Sequence, residues 1–184
     1  MGRQRTIDRE KVLDAAETIV ATQGAAALTI DAVARAMDIS KGGVQYCFGS
    51  KDALIDAMFE RWGKAYDEVF EQALRADDSP PNVVRAHMLA TRRYDQASSA
   101  KAAGLMAALI QTPQHLDSTR QWYRERIAQL DLNSAAGRRA RLVFLATEGA
   151  FMLRYFGLMT IDQAEWEAIF DDIARLAESD GGPA

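Results

Sequence analysis

The sequence predicts an all-α protein of about nine helices, with a small N-terminal domain followed by a larger helical domain. Apolar residues recur at spacings of three and four through most of the chain, as they do on one face of a helix. No stretch alternates strictly between apolar and polar residues, and no Asn-Gly hairpin dipeptide occurs. We place the N-terminal domain at residues 1–51, the helical domain at 52–178 and a disordered tail at 179–184.

The first predicted helix runs from Ile7 to Gln23 and ends at Gly24. Its apolar face comprises Val12, Ala16, Ile19 and Val20. An amphipathic helix of this kind needs partners to cover that face, and the next two helices supply them. Together the three form a compact N-terminal domain.

Two short helices follow, separated by a break too brief for an independent loop. Thr29 is a plausible N-cap of the first, whose apolar stripe is Ile30, Val33, Ala34 and Met37. The segment Asp38-Ile39-Ser40 interrupts the pattern, and the second helix begins directly after it. This arrangement is typical of a helix-turn-helix.

The second short helix has an inner and an outer face. Val44, Cys47 and Phe48 share the side that packs on the preceding helix, whereas Gly42, Gln45 and Tyr46 point toward solvent or a ligand surface. Glycine at positions 42 and 43 costs about 1 kcal/mol each relative to alanine. That cost suits close approach of a polyanionic backbone, although a frayed helix start would also explain it.

Lysines stand at two helix starts in this region. Lys41 begins the second short helix and Lys51 begins the next one, where free amides and the helix dipole already favour an anion. Both positions suit contacts to phosphate groups.

The run from Ile39 to Leu54 resembles the recognition segment of the TetR family of bacterial transcription regulators. The matching residues are Ser40, Lys41, Gly42, Tyr46, Phe48, Ser50, Lys51 and Leu54, and the departures are Gly43, Gln45, Cys47 and Gly49. The predicted DNA-binding residues are Thr29, Ser40, Lys41, Gly42, Gln45, Tyr46 and Lys51. Gln45 replaces an aromatic residue with an amide that can bind adenine in a bidentate manner, or else it is a solvated residue that contacts nothing.

The charge distribution permits a nucleic-acid partner despite an overall charge of −4. Residues 1–51 carry seven basic and six acidic groups, and a local basic footprint is enough to neutralise phosphates. Arg3 and Arg5 belong either to an arm that reaches DNA or to a solvated tail. The sequence has no signal-peptide core or membrane-spanning apolar run, and its single cysteine excludes an intrachain disulfide, so we expect a cytoplasmic protein without a membrane partner.

The helical domain starts with a long helix that Ser50 caps and that continues to about Ala76. The two prolines in 77–82 predict a loop there. Further helices are expected at about 83–97, 100–111 and 115–130, with a break at Thr112-Pro113, and then at Ser134 to Leu158 and Asp162 to Glu178. Asp162 with Glu165 gives the last helix a capping-box-like start.

The segment from Leu142 to Met159 is apolar almost all round, which indicates burial on more than one side. A second subunit would supply the extra cover, although a monomer could also bury the surface by itself. The predicted homodimer interface comprises Leu142, Leu145, Gly149, Met152, Trp166, Ile169, Phe170 and Ile173.

The resemblance also implies a cavity for a small-molecule effector in the helical domain. The candidate lining residues are Trp62, Tyr66, Met88, Arg92, Met106, Trp122, Tyr123, Phe144, Glu148 and Phe151, each of which ordinary core packing would also explain. A carboxylate amid apolar residues needs compensation. Glu148 could therefore counter a cationic effector, hydrogen-bond across the dimer interface, or pair with Arg141 or Arg154.

No constellation of catalytic or metal-ligating residues is recognisable. His87 and His115 have no neighbouring carboxylate or cysteine at metal-ligand spacing, and Cys47 is better explained as a structural thiol than as a redox sensor. Glycine-rich phosphate loops and HExxH are absent. We therefore expect neither cofactor nor metal.

The resemblance implies a dimeric, ligand-responsive repressor, not an enzyme, that binds a near-palindromic operator in double-stranded DNA. Its effector would be small and hydrophobic or cationic, and its target could be a multidrug efflux gene. The alternative is a helical enzyme or small-molecule-binding protein with an incidental three-helix head.

Overall fold

A computed structural model describes residues 7–110 and 115–178 of the 184-residue chain, and within those ranges it contains nine α-helices and no strand. The helices are α1 Arg9–Gln23, α2 Ile30–Ala36, α3 Lys41–Phe48, α4 Lys51–Leu74, α5 Pro80–Arg93, α6 Gln96–Leu109, α7 Asp117–Ile127, α8 Ala135–Tyr155 and α9 Gln163–Glu178. The all-α prediction is confirmed. The basic arm, the Thr112-Pro113 break and the C-terminal tail lie outside the described residues.

The chain divides into two compact units. The head unit contains the described residues up to Trp62 and those within Leu105–Leu116, and the body unit contains Gly63–Gly104 and the described residues from Asp117 onward. Helices α4 and α6 each contribute residues to both units.

In the head unit, α2 packs on both α1 and α3. Asp8 caps α1, and Gly24 ends it with a φ of 81°, a left-handed conformation that glycine adopts without strain. The core of the unit includes Val12, Leu13, Ala16, Ile19, Leu28, Val33, Ala34, Val44, Phe48, Leu54 and Met58. Helices as short as α2 and α3, of seven and eight residues, are not stable alone in water, so this packing maintains them.

Arg61 ties α4 to the acidic face of α1. Its guanidinium lies 2.6 Å from Asp14, 3.4 Å from Glu17 and 3.7 Å from Glu10. Beside it, the indole N–H of Trp62 donates to Glu17 at 2.9 Å. Arg61 therefore pairs with the three carboxylates on the outer side of α1, within the head unit.

The loop predicted at 77–82 is shorter than expected, because Pro80 already starts α5. Proline fits the first turn of a helix, where its missing N–H has no intrahelical acceptor to satisfy. Asn82, also predicted to be in the loop, is buried inside α5 and donates to the backbone carbonyls of Asp77 and Ala73. The two prolines therefore begin a helix here, although prolines are also helix breakers.

In the body unit, α5, α8 and α9 pack together and α7 packs on α5. The core comprises Val84, Met88, Ala103, Leu130, Ala140, Val143, Phe144, Ala150, Phe151, Ile161, Trp166, Phe170 and Ile173. Asp162 caps α9 by accepting from the amide of Glu165 at 2.8 Å, as predicted. None of the described helices is both long and apolar enough to cross a membrane.

Three residues predicted at the dimer interface are core residues of the subunit instead. Trp166, Phe170 and Ile173 are only 2%, 0% and 6% exposed. They occupy the inner face of α9, which packs on α5 and α8, so their apolar periodicity reflects the core of one chain.

Gly137, near the start of α8, offers a sharp test of this packing. An added Cβ at this position would lie 2.0 Å from the carbonyl oxygen of Asp131, a backbone atom that cannot rotate away. We predict that Gly137→Ala lowers the free energy of unfolding by about 1–3 kcal/mol, as overpacking does. Chemical denaturation at a fixed protein concentration measures the change.

The matched control is Gly104→Ala in α6, where no heavy atom lies within 4 Å of an added Cβ. This change should leave stability unaltered or raise it by up to about 1 kcal/mol through helix propensity. Equal effects of the two substitutions would contradict the packing of the α7–α8 turn.

Candidate nucleic-acid interface

Helix α3 is held from its inner side. Val44 and Phe48 are 0% and 6% exposed and belong to the head core together with Val33 and Ala34 of α2. Ser40 caps the helix by accepting from the amide of Gly43 at 3.1 Å. Because the inner side and the first turn are both fixed, the direction of the outer side chains is fixed as well.

The outer face of α3 is open to solvent. Gln45 and Gly42 are exposed, and Tyr46 is 90% exposed, which is unusual for an aromatic side chain. The helical spacing predicts this exposure correctly. A polar amide and a phenol standing side by side on a rigid helix can hydrogen-bond the edges of bases in a major groove.

The two glycines of α3 have different surroundings. An added Cβ at Gly42 would meet nothing closer than Ser40 Oγ at 3.9 Å, so the chain itself does not require glycine there. At Gly43, an added Cβ would lie 2.6 Å from Cδ1 of Ile7. That methyl is the end of a flexible side chain and can move aside, so packing requires glycine at neither position, and the bare backbone at Gly42 faces the exposed surface.

The predicted phosphate contacts lie at three helix starts. Thr29 caps α2 by accepting from the amide of Ala32 at 3.0 Å, and Ser50 caps α4 by accepting from the amide of Ala53 at 3.1 Å. A capping hydroxyl keeps its own O–H free to donate to a phosphate oxygen. Lys51 forms no ion pair with any residue in 7–110 or 115–178, so its ammonium is available to an anion.

Lys41 is already engaged. Its Nζ lies 3.3 Å from a carboxylate oxygen of Asp31 in the first turn of α2, and both side chains are more than half exposed. No sequence signal points to this contact, because the two residues are ten positions apart and lie on different helices. Asp31 therefore competes with any phosphate that approaches Lys41.

A buried polar cluster lies in the body unit. The Tyr66 hydroxyl is 2.8 Å from Nδ1 of His87, His87 Nε2 is 2.9 Å from Oε1 of Glu148, and the Tyr123 hydroxyl donates to Oε2 at 2.9 Å. We call these four residues the polar relay. The ring N–H of His87 is not aligned for a hydrogen bond to Glu148, so this contact is electrostatic. The relay connects α4, α5, α7 and α8.

Both phenols of the relay stay protonated at neutral pH. Burial raises the pKa of Tyr66, with the charge of Arg126 opposing the effect, and burial together with the negative charge of Glu148 raises the pKa of Tyr123. We assign Tyr66 as the donor to Nδ1, because the carboxylate beside Nε2 favours the proton on that nitrogen. Glu148 is thus compensated inside one subunit.

The sequence left the partners of His87 and Glu148 open, and the structure identifies them. His87, which has no carboxylate or cysteine at metal-ligand spacing in the sequence, is a core residue only 1% exposed and contacts Glu148. Glu148 pairs with neither Arg141 nor Arg154, since Arg141 is exposed and the Arg154 guanidinium lies over the rings of Tyr155 and Trp166. His87 and Glu148 are 61 positions apart, and only the packing of α5 on α8 brings them together.

The residues predicted to line the effector cavity do not form one cluster. Tyr66, Trp122, Tyr123, Phe144 and Glu148 lie close together in the body unit, joined by ring contacts and the polar relay. Met88 and Phe151 are buried in the body core, while Trp62 and Met106 belong to the head unit. Arg92 pairs with Glu167 and Asp171 at 2.6 and 2.8 Å and lines an open surface groove of about 560 Å³.

The structure also shows the surroundings of the other histidine and of the single cysteine. His115, which has no carboxylate or cysteine at metal-ligand spacing in the sequence, contacts Asp52 within the head unit. Cys47 is a half-buried free thiol in α3. Within residues 7–110 and 115–178, no three His, Cys, Asp or Glu side chains are grouped closely enough to hold a metal ion.

Comparison with known proteins places this geometry in a family. Residues 12–58 match the family described as bacterial regulatory proteins, tetR family, and residues 81–178 match the tetracyclin repressor-like C-terminal domain. No curated protein sequence matches the chain.

Solved structures share the fold. A transcriptional regulator from Rhodococcus sp. Rha1 superimposes with a TM-score of 0.59 at 19% identity, over 92% of this chain and 96% of that one. The multidrug binding protein EbrR, complexed with imidazole, superimposes with a TM-score of 0.62 at 20% identity, over 95% of this chain and 92% of that one. The TetR family transcriptional regulator PfmR from Thermus thermophilus superimposes with a TM-score of 0.55 at 18% identity, over 97% of this chain and 100% of that one. With a helix-turn-helix head at its N-terminus and a matching helical body, the chain belongs to the TetR family of DNA-binding transcription regulators.

Proposed function

We propose that this protein is a ligand-responsive repressor that binds a near-palindromic operator as a homodimer and is released by a small hydrophobic or cationic effector. It acts by binding and does not catalyse a reaction. The observation that carries the proposal is the exposed outer face of α3, on which Gln45 and the 90% exposed Tyr46 stand next to bare backbone at Gly42.

The head contacts DNA in two ways. Gln45 and Tyr46 read base edges, with the Gln45 amide suited to the N6 and N7 atoms of adenine. Thr29, Ser40 and Lys51 hold the phosphate backbone at the starts of α2, α3 and α4, where the helix dipoles also favour an anion. Lys41 joins them when phosphate replaces Asp31 as its partner.

The dimer forms through the outer face of α8. Leu142 and Leu145 are 53% and 56% exposed, and Leu153 lies further along the helix at 36%. Gly149, between them, has no heavy atom within 4 Å of an added Cβ, so a partner helix can approach closely there. Met152 and Ile169 are half-buried and complete the surface. Exposed leucines in a stripe are a protein interface more often than a solvated surface.

The effector acts through α4, which contributes Lys51 to the head unit and Tyr66 to the body unit. An effector that binds beside the polar relay and prefers the non-binding arrangement shifts the population away from DNA, by a typical coupling of about 1–3 kcal/mol. One structural relative, EbrR, is a multidrug binding protein, and we propose a multidrug efflux gene as the regulated target.

Binding to duplex from the gene's own promoter region tests the proposal. Wild-type protein should bind at sub-micromolar concentration, with an affinity that falls steeply as salt is added, because phosphate contacts release counterions. Lys51→Ala should weaken binding to all sequences alike and reduce the salt dependence by about one ion. Gln45→Ala should lose about 1–3 kcal/mol at one base pair per half-site.

Lys64→Ala is the matched control, since Lys64 is an exposed lysine of the same helix as Lys51 but belongs to the body unit. It should bind as wild type does. Absence of a salt-sensitive complex would exclude DNA binding and favour a helical small-molecule-binding protein. Identical base-substitution profiles for wild type and Gln45→Ala would remove the reading role of Gln45.

Asp31 should limit the affinity for DNA. Asp31→Asn frees Lys41 and removes a negative charge. We predict that this variant binds DNA up to about fivefold more tightly at low salt, a change in affinity that corresponds to the free energy of one exposed ion pair. Asp38→Asn is the control, because it removes the same charge from the head without breaking an ion pair with Lys41. If both variants gain equally, only net charge matters, and the specific competition at Lys41 is refuted.

A further inference from the structure

Arg126 on α7 occupies an aromatic site of its own chain. Its guanidinium carbon lies 4.3 Å from the ring centroid of Phe70 and 4.3 Å from that of Trp122, over both rings. Aromatic faces attract cations through the quadrupole of the ring, and two faces at this distance form a site for a flat cation. We call the space between Phe70 and Trp122 the cation slot.

The occupant of the slot is incompletely satisfied in its hydrogen bonds. Nε of Arg126 is buried and has no hydrogen-bond partner among the described residues. A buried donor without an acceptor lowers the stability of the arrangement. The two rings therefore suit the charge and flat shape of the guanidinium, while its Nε–H group stays unsatisfied. Another flat cation with a better-placed donor would compete with it.

The slot adjoins the polar relay. The Trp122 ring is 5.7 Å from that of His87 and 5.1 Å from that of Tyr123, whose hydroxyl bonds Glu148. The negatively charged Glu148 is therefore connected to Trp122 of the slot through Tyr123. The positive charge of Arg126 and the negative charge of Glu148 act on Tyr66 with opposite sign, and this opposition sets the sign of the charge that the site accepts.

Helix α7 is able to release its arginine. None of its residues is buried, whereas the neighbouring α5 and α8 bury many, and Trp122 and Arg126 are both half-buried. A rotation of the Arg126 side chain into solvent gives up its contacts with Phe70, Trp122 and the Tyr66 hydroxyl, which lie on α4 and α7 and not on α5 or α8. The slot can thus open without unfolding the body unit.

We propose that the cation slot is a binding site for a planar organic cation, which enters by displacing Arg126. Exchange of one cation for another preserves the balance with Glu148, whereas an anion would place a second negative charge in the same low-dielectric surroundings. A neutral ring would expel the compensating charge without replacing it. As the effector site of the proposed repressor, the slot would act through Phe70 on α4, and that step rests on the proposed function.

Three probes of matched size and different charge test the site: benzamidinium, benzamide and benzoate. Calorimetric titration of the DNA-free protein should show binding in the order cation, neutral, anion. Arg126→Ala removes the side chain that competes for the slot. Benzamidinium should therefore bind this variant about tenfold more tightly than it binds wild type, because its two cation–π contacts no longer replace those of Arg126. Trp122→Leu should weaken the same probe by a similar factor.

Arg124→Ala, an exposed arginine on the same helix, is the matched control and should titrate as wild type does. Arg126→Gln, nearly isosteric and neutral, replaces Arg126→Ala if that variant does not fold. Preference of the wild type for benzoate, lost in the Arg126 variants, would show an anion site and overturn the proposal. Equal affinity for the three probes, or unchanged benzamidinium binding in the Arg126 variants, would overturn it too. Operator binding without benzamidinium binding would reject the slot and leave the repressor intact.

Discussion

The packing of α3 against α2 is the interaction on which the rest of the head depends. Eight residues are too few to keep a helix folded in water, and two of the eight are adjacent glycines near its start. Val44 and Phe48, buried in the head core with Val33, supply the missing stability. Because the inner face is fixed in this way, Gln45 and Tyr46 project outward from a rigid support instead of from a flexible loop.

A second constraint organises the body unit, where Glu148 carries its charge among aromatic side chains. A buried carboxylate without partners would be strongly unfavourable, and His87 and Tyr123 provide them from two other helices. Tyr66 extends the same set of contacts to α4. One charged residue thus belongs to a set of contacts that joins four helices.

Local features of the structure were predictable from the sequence. The stop at Gly24, the caps at Thr29 and Asp162 and the outward direction of Gln45 depend only on neighbouring residues, and the structure confirms them. The interpretation of Pro80 failed although the signal was local, because proline both breaks helices and begins them.

Contacts between distant segments were not predictable in the same way. The partners of His87, Lys41 and Arg61 lie on other helices, and no spacing rule within one helix points to them. The apolar periodicity of α9 was real, but periodicity cannot distinguish a core from an interface between subunits, so Phe170 was assigned to the wrong one. The position of the cation slot likewise needed the packing of α7 beside α4 residues in the body unit.

The central claim is that two heads of one dimer present α3 to successive major grooves of the same duplex. Hydroxyl-radical footprinting of the promoter duplex with wild-type protein tests it most directly. We expect two protected segments on the same face of the DNA, related by two-fold symmetry and separated by about one helical turn, roughly 34–36 Å. A single protected segment, or uniform protection along the duplex, would contradict paired recognition by α3.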